Sequence, residues 1–222
     1  MLLTEGYFNT KATISLRSAV GNPKVLIDLQ EKLKGNGVKL TNPNNLHMTW
    51  FNWGSYETLR DAVFQASSVT DAVEFEEILK SHLVDVKRHV DKIGSAKMTV
   101  YGEEVQLYGN LLNLKGKPFW GLTLSIPPTQ TDYSKEVSAL AEDFLDKSRV
   151  HDPLDFIKTY KPMSSYTDGS LDPHVSLAKP PVIINPSIQP RDSIPVVLLK
   201  PELETGGFIS FINAVVPAKR VA

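Results

Sequence analysis

The sequence contains no cysteine. That absence excludes disulfides, a thiolate nucleophile and cysteine-based zinc sites together. It has almost no net charge, 24 Lys and Arg against 25 Asp and Glu. Proteins that track long nucleic acid carry a basic stripe, because phosphate neutralisation dominates that affinity. None is visible here, so the charge balance favours a small or short anionic ligand over a long duplex. No apolar run approaches the roughly 20 residues that cross a bilayer. The start, MLLTEGYFNTK, lacks a charged segment followed by an apolar one, so no signal peptide is expected. A soluble, cytoplasmic protein without membrane contact is the resulting expectation, and a monomer is assumed.

What is present is a chain of 222 residues with 41% hydrophobic content, enough for a substantial core. Lys11–Leu16 is rich in β-formers and reads as a strand ending near the Gly21-Asn22-Pro23 turn. Pro23 suits a first helical turn, and Val25, Leu26, Leu29 and Leu33 recur at helical spacing until Gly35-Asn36-Gly37. Leu46–Phe51 is strand-like. Ser55 with Thr58 opens a second helix, and Thr70 or Asp71 caps a third that runs to Ile93 with an apolar stripe of Ile78, Leu79, Leu83, Val86 and Val90. From Met98 the period becomes two, and Met98–Tyr101, Glu104–Tyr108, Leu111–Leu114 and Trp120–Ile126 read as consecutive antiparallel strands. A helix capped by Ser134 reaches about Leu145. A long polar stretch from Asp146 to Asp172 then precedes strands at Val175–Ala178, Val196–Leu199 and Phe208–Val216, with Thr205-Gly206-Gly207 as a hairpin turn. The expected class is α+β with mixed or antiparallel sheets. Strand, helix and histidine strand occur both early and late, which predicts two similar lobes facing each other across a cleft.

Two of the five histidines sit in His-x-hydroxyl triplets, His47-Met48-Thr49 and His174-Val175-Ser176. In a strand, residues i and i+2 share a face, so each triplet presents an imidazole and a hydroxyl side by side. Cleaving a phosphodiester needs a base for the attacking oxygen and an acid for the departing one, and imidazole serves both near neutrality. Hydroxyls can donate to the non-bridging oxygens as charge builds there. No metal or other cofactor is required. The bland alternative for each triplet is a strand histidine satisfied by a neighbour. His82 and His89, seven apart on a charged helix, read as solvated rather than as a metal pair, and His151 as a surface residue. Trp50, Trp53 and Trp120 read as packing residues. Tyr160 and Tyr166, in the long polar stretch before the second triplet, are candidates for stacking on a base, with ordinary exposed loop tyrosines as the alternative.

The residues around the triplets sharpen this. LTNPNNLHMTWFNWG resembles the first signature of the two-histidine (2H) phosphoesterase superfamily, which in its bacterial RNA ligase and cyclic phosphodiesterase branch reads roughly W-V-P-x-x-N-L-H-x-T-L-x-F-L-G. Pro173 to Lys179, PHVSLAK, is similar to that branch's P-H-[IVL]-T-L-A-R. The resemblance implies one bilobal, pseudo-symmetric domain over residues 1–222, metal-independent, acting on 2′,3′-cyclic phosphates, 2′-5′ linkages or cyclic nucleotides. It implies His47 and His174 as catalytic residues and Thr49 and Ser176 as phosphate-binding ones. The expected ligands are a small cyclic nucleotide, a cyclic oligonucleotide or a short RNA end. A nucleotide-binding module without turnover and a 2′-5′ RNA ligase are the competing functions. Three departures stand out. Ser176 replaces threonine and keeps the hydroxyl. Lys179 replaces arginine and loses the planar fork. The helix around 70–93 is additional to the usual pattern.

Overall fold

The computed structural model describes residues 8–33, 39–93, 98–102, 105–110, 119–125, 133–167, 174–179 and 194–209. The elements follow in the order β1 (Thr13–Ala19), α1 (Pro23–Leu33), β2 (Lys39–Leu40), a short 3-10 turn (Pro43–Asn45), β3 (His47–Ser55), α2 (Tyr56–Ala66), α3 (Ala72–Ile93), β4 (Met98–Gly102), β5 (Val105–Asn110), β6 (Phe119–Ser125), α4 (Tyr133–Lys147), α5 (Pro153–Thr159), α6 (Lys161–Thr167), β7 (His174–Lys179), β8 (Ile194–Leu198) and β9 (Glu202–Glu204). The α+β class is as expected.

Local chemistry explains the helix starts. Pro23 opens α1, where its missing N–H costs nothing. Ser55 and Thr58 form a reciprocal capping box on α2. Asp71 Oδ1 accepts the Glu74 amide at 2.9 Å and so caps α3, the additional helix anticipated around 70–93. The polar stretch after Asp146 is helical, contrary to expectation. Asp152 accepts the Asp155 amide at 2.9 Å with Pro153 beside it, which starts α5, and α6 follows within two residues.

Seven strands form one antiparallel sheet in the order β5-β6-β7-β3-β1-β9, with β2 also on β7. β4 leaves its sequence neighbour β5 and pairs with β8 in a second, two-stranded sheet. The expected run of consecutive hairpin strands is corrected there, and its member at Leu111–Leu114 lies outside the described residues. Phe208 and Ile209 are helical rather than extended; residues 210–216 also lie outside them. The second sheet is tied to the first where Gly21 N–H donates to Val197 O at 2.7 Å and Leu199 N–H to Ala19 O at 2.9 Å.

The large sheet divides into two blocks, β9-β1-β3 and β2-β7-β6-β5. Among the described residues, one register pair, Met48 across from Val175, joins β3 to β7. The two halves are therefore one hydrogen-bonded sheet with a narrow seam, where facing lobes with separate sheets were expected. Met48 and Val175, 1% and 0% exposed, turn into the core at that seam. Along β3 the pairing with β1 shifts twice, leaving Trp50 and Trp53 as the extra residues. At each shift two consecutive residues are buried, Trp50-Phe51 and Trp53-Gly54, and both tryptophans are core residues as expected.

Candidate functional site

The seam brings the two triplets together. Met48 faces Val175 in an antiparallel pair, so His47 lies across from Ser176 and Thr49 across from His174. Paired residues of neighbouring strands stand about 5 Å apart, and i and i+2 about 7 Å. The four strand positions form a small quadrilateral with the two histidine positions on one diagonal and the Thr49 and Ser176 positions on the other. The side chain of His174 lies outside what the structure describes, and only its strand position is used. Ser176 is exposed and His47 and Thr49 are partly so, while Met48, Val175 and Leu177 are buried. The alternation expected from the period of two is present on both strands. On the far side of β7, Ser176 pairs with Thr123 and His174 with Ser125, which extends the polar row onto β6.

His47 is oriented by the turn that precedes it. Asn42 accepts the Asn44 amide at 3.0 Å, Pro43 opens the 3-10 turn, and the Asn45 carbonyl at its end lies 2.7 Å from His47 Nδ1. A carbonyl only accepts, so Nδ1 carries a proton, and Nε2 is the nitrogen whose protonation changes. The NPNN segment therefore selects a tautomer. Behind the triplets, the Gln30 amide from α1 donates to Thr41 O at 2.9 Å and Leu177 O at 2.7 Å. Gln30, 2% exposed, thus ties the backbone before the first triplet to the strand that carries the second.

The two tyrosines fall elsewhere. Tyr160 sits at the α5–α6 junction, its ring 5.2 Å from that of Phe156 and its hydroxyl donating to Trp53 O at 2.8 Å. Burial pushes its pKa up to about 12. In place of the exposed loop aromatic expected, it is a strut against the end of β3. Gly54 makes room for it, with φ 85° and no side chain where the Tyr160 hydroxyl passes. Tyr166 lies on α6, with its side chain outside the described set.

The sequence reading missed His82. Expected to be solvated, it is 0% exposed, on the apolar stripe of α3 between Leu79 and Val86. Trp53 Nε1–H donates to its Nε2 at 3.0 Å, and its Nδ1 lies 2.6 Å from Asp143 Oδ2 on α4. Burial, working against the bond to Asp143, lowers its pKa to about 4 and keeps it neutral. Lys147 bridges Asp143 at 2.9 Å and Asp85 at 2.8 Å. The place of His82, three residues after Leu79 and four before Val86, is the signal that a helical-wheel reading of all residues, charged ones included, would have caught. His89 and His151 are exposed, as expected. Among the described residues, no group of three or more His, Asp or Glu could hold a metal ion, and no helix is long and apolar enough to cross a membrane.

No protein-family model matches the chain, and no curated protein matches it in sequence. Solved structures similar to it include the following two. TT0787 of Thermus thermophilus is 12% identical, over 86% of this chain and 84% of that one, with a TM-score of 0.44. LigT of E. coli, in its apo form, is 12% identical, over 89% of this chain and 99% of that one, with a TM-score of 0.40. Both TM-scores lie below 0.5. What this chain does is argued below from its own residues.

Proposed function

We propose that the chain is a two-histidine phosphoesterase that cleaves a phosphodiester without a metal, using His47 and His174 as base and acid. The observation carrying this reading is the Met48–Val175 pair, which sets two His-x-hydroxyl triplets against each other in antiparallel register. A phosphodiester over the quadrilateral has an imidazole at opposite corners, as in-line attack and departure require. Thr49 and Ser176 donate to the non-bridging oxygens. On a cyclic phosphate the neutral imidazole activates water. On a 2′-5′ linkage it activates the neighbouring 3′-hydroxyl, which closes a 2′,3′-cyclic phosphate while the other imidazole protonates the departing 5′-oxygen. The quadrilateral is symmetric enough that either histidine fits either role. The two blocks of the sheet act as the two lobes, and the scissile group binds at their seam. The ligand is a small cyclic nucleotide, a cyclic oligonucleotide or a short RNA end, handled by a cytoplasmic monomer.

The test is a metal-free panel of 2′,3′-cyclic nucleotides, 2′-5′ oligoadenylates and cyclic di- and trinucleotides, with products read by mass. The wild type turns over at least one member in excess EDTA, with kcat/KM bell-shaped in pH. His47→Ala and His174→Ala each lose about 10²–10⁴ in rate with the fold intact. Tight binding without turnover of any member would leave a nucleotide-binding module in place of the enzyme.

A further inference from the structure

Arg17 shares the open face with the triplets, and nothing above assigns it a task. On β1 it lies in register with Thr49, one strand outside the quadrilateral. Leu16 and Ser18 on either side of it are buried, 6% and 0% exposed, while Arg17 is partly exposed. Its Nε donates to Ser15 Oγ at 2.7 Å, and Ser15 is itself 0% exposed. That bond fixes the plane of the guanidinium and leaves both Nη groups as donors. No carboxylate among the described residues pairs with it, Glu202 at its register position on β9 included. A half-buried guanidinium held by a neutral partner, with its fork unspent, suits a bidentate anion.

Strand geometry says which anion. The centre of the quadrilateral lies half a strand spacing beyond Thr49, so the strand position of Arg17 stands about 7 Å to one side of it, with the guanidinium turned along β1 toward Ser15. That is the order of separation between two phosphates on either side of one ribose. We infer that Arg17 is a specificity-determining residue that binds a second phosphate, one nucleotide away from the scissile one on the Thr49 side. The inference rests on the phosphodiesterase reading and narrows its substrate class to ligands with a phosphate on both sides of a ribose, as in a linear or cyclic oligonucleotide. A lone 2′,3′-cyclic mononucleotide leaves Arg17 idle.

Calorimetric titration with two probes tests it, adenosine 3′-monophosphate and adenosine 3′,5′-bisphosphate, which differ by one phosphate. The wild type binds the bisphosphate about ten- to a hundredfold more tightly, the range of one charge-assisted contact. Arg17→Ala removes that preference without weakening the monophosphate, and Arg17→Lys restores part of it, because charge returns without the fork. Equal weakening of both probes in Arg17→Ala would put the guanidinium on the scissile phosphate and overturn the inference. So would an unchanged preference. If no substrate in the panel is cleaved while the Arg17-dependent preference persists, the catalytic reading fails and the second phosphate site stands.

Discussion

His82 shows how much one buried ring can tie together. Its Nε2 accepts from the Trp53 indole and its Nδ1–H donates to Asp143, so β3, α3 and α4 meet at a single neutral imidazole. Burial lowers its folded pKa to about 4 from the ordinary 6.5. The unfolded chain therefore takes up the proton first as pH falls. The stability contributed by the neutral ring is complete above about 6.5 and is lost between there and 4, at most about 3 kcal/mol. Asp143 and Asp85 are shifted down as well. Burial pushes the Asp143 carboxyl up, but Lys147 and His82 outweigh it, and Lys147 lowers Asp85. Their contribution is lost only at lower pH, below the ordinary carboxylate range. His82→Gln keeps an acceptor for Trp53 and a donor for Asp143 but cannot titrate. Melting profiles of the variant should lack the decline between pH 6.5 and 4 that the wild type shows; superimposable profiles would remove His82 from the account. At this scale the triplets were legible because a period of two needs only sequence, whereas the state of His82 depends on residues 29 and 61 positions away. Tyr160 was misread for the same reason, since its partner Trp53 is 107 residues distant.

Among elements, those announced by a local signal were legible: α1 by its proline, α2 by its capping box, α3 by its cap and stripe, β3 and β7 by alternation. β9 was not, because three residues reading Glu-Leu-Glu at a sheet edge carry too little pattern. The pairing of β4 with β8 spans nearly a hundred positions, and nothing in either strand names its partner. α5 and α6 were hidden by length, at seven residues each, and by proline and polar composition. Between elements the decisive contact is Gln30, with one amide holding two backbone carbonyls. Gln30→Met conserves shape and removes both bonds, leaving two acceptors underused in a buried place. A loss of about 1–3 kcal/mol in denaturant unfolding is expected. A larger fractional fall in kcat than in affinity should accompany it, because the triplets lose their mutual register while their groups remain. Full activity in that variant would show that β2 and β7 hold their places without it.

For the whole molecule, the α+β class followed from composition and period, but the way the halves meet did not. Repetition of the order strand, helix, histidine strand predicts two similar units and is silent on whether their sheets are separate or continuous. Continuity through one register pair has a mechanical consequence. A sheet is stiff where many rungs cross from strand to strand and compliant where few do, and here the compliant line runs between the groups that must act together. If the proposed site is right, an anion seated on Thr49 and Ser176 supplies the missing rungs from outside, working as a removable rivet. Inorganic phosphate should then raise the melting temperature by mass action, by RT ln(1 + [L]/Kd), and slow amide exchange at Met48 and Val175 more than at the β5–β6 ladder. The triple variant Arg17→Ala, Thr49→Val, Ser176→Ala should melt at a temperature indifferent to phosphate. On the proposed function, a ligand bound across the seam completes the catalytic geometry, because it adds contacts between two blocks that share the Met48–Val175 pair.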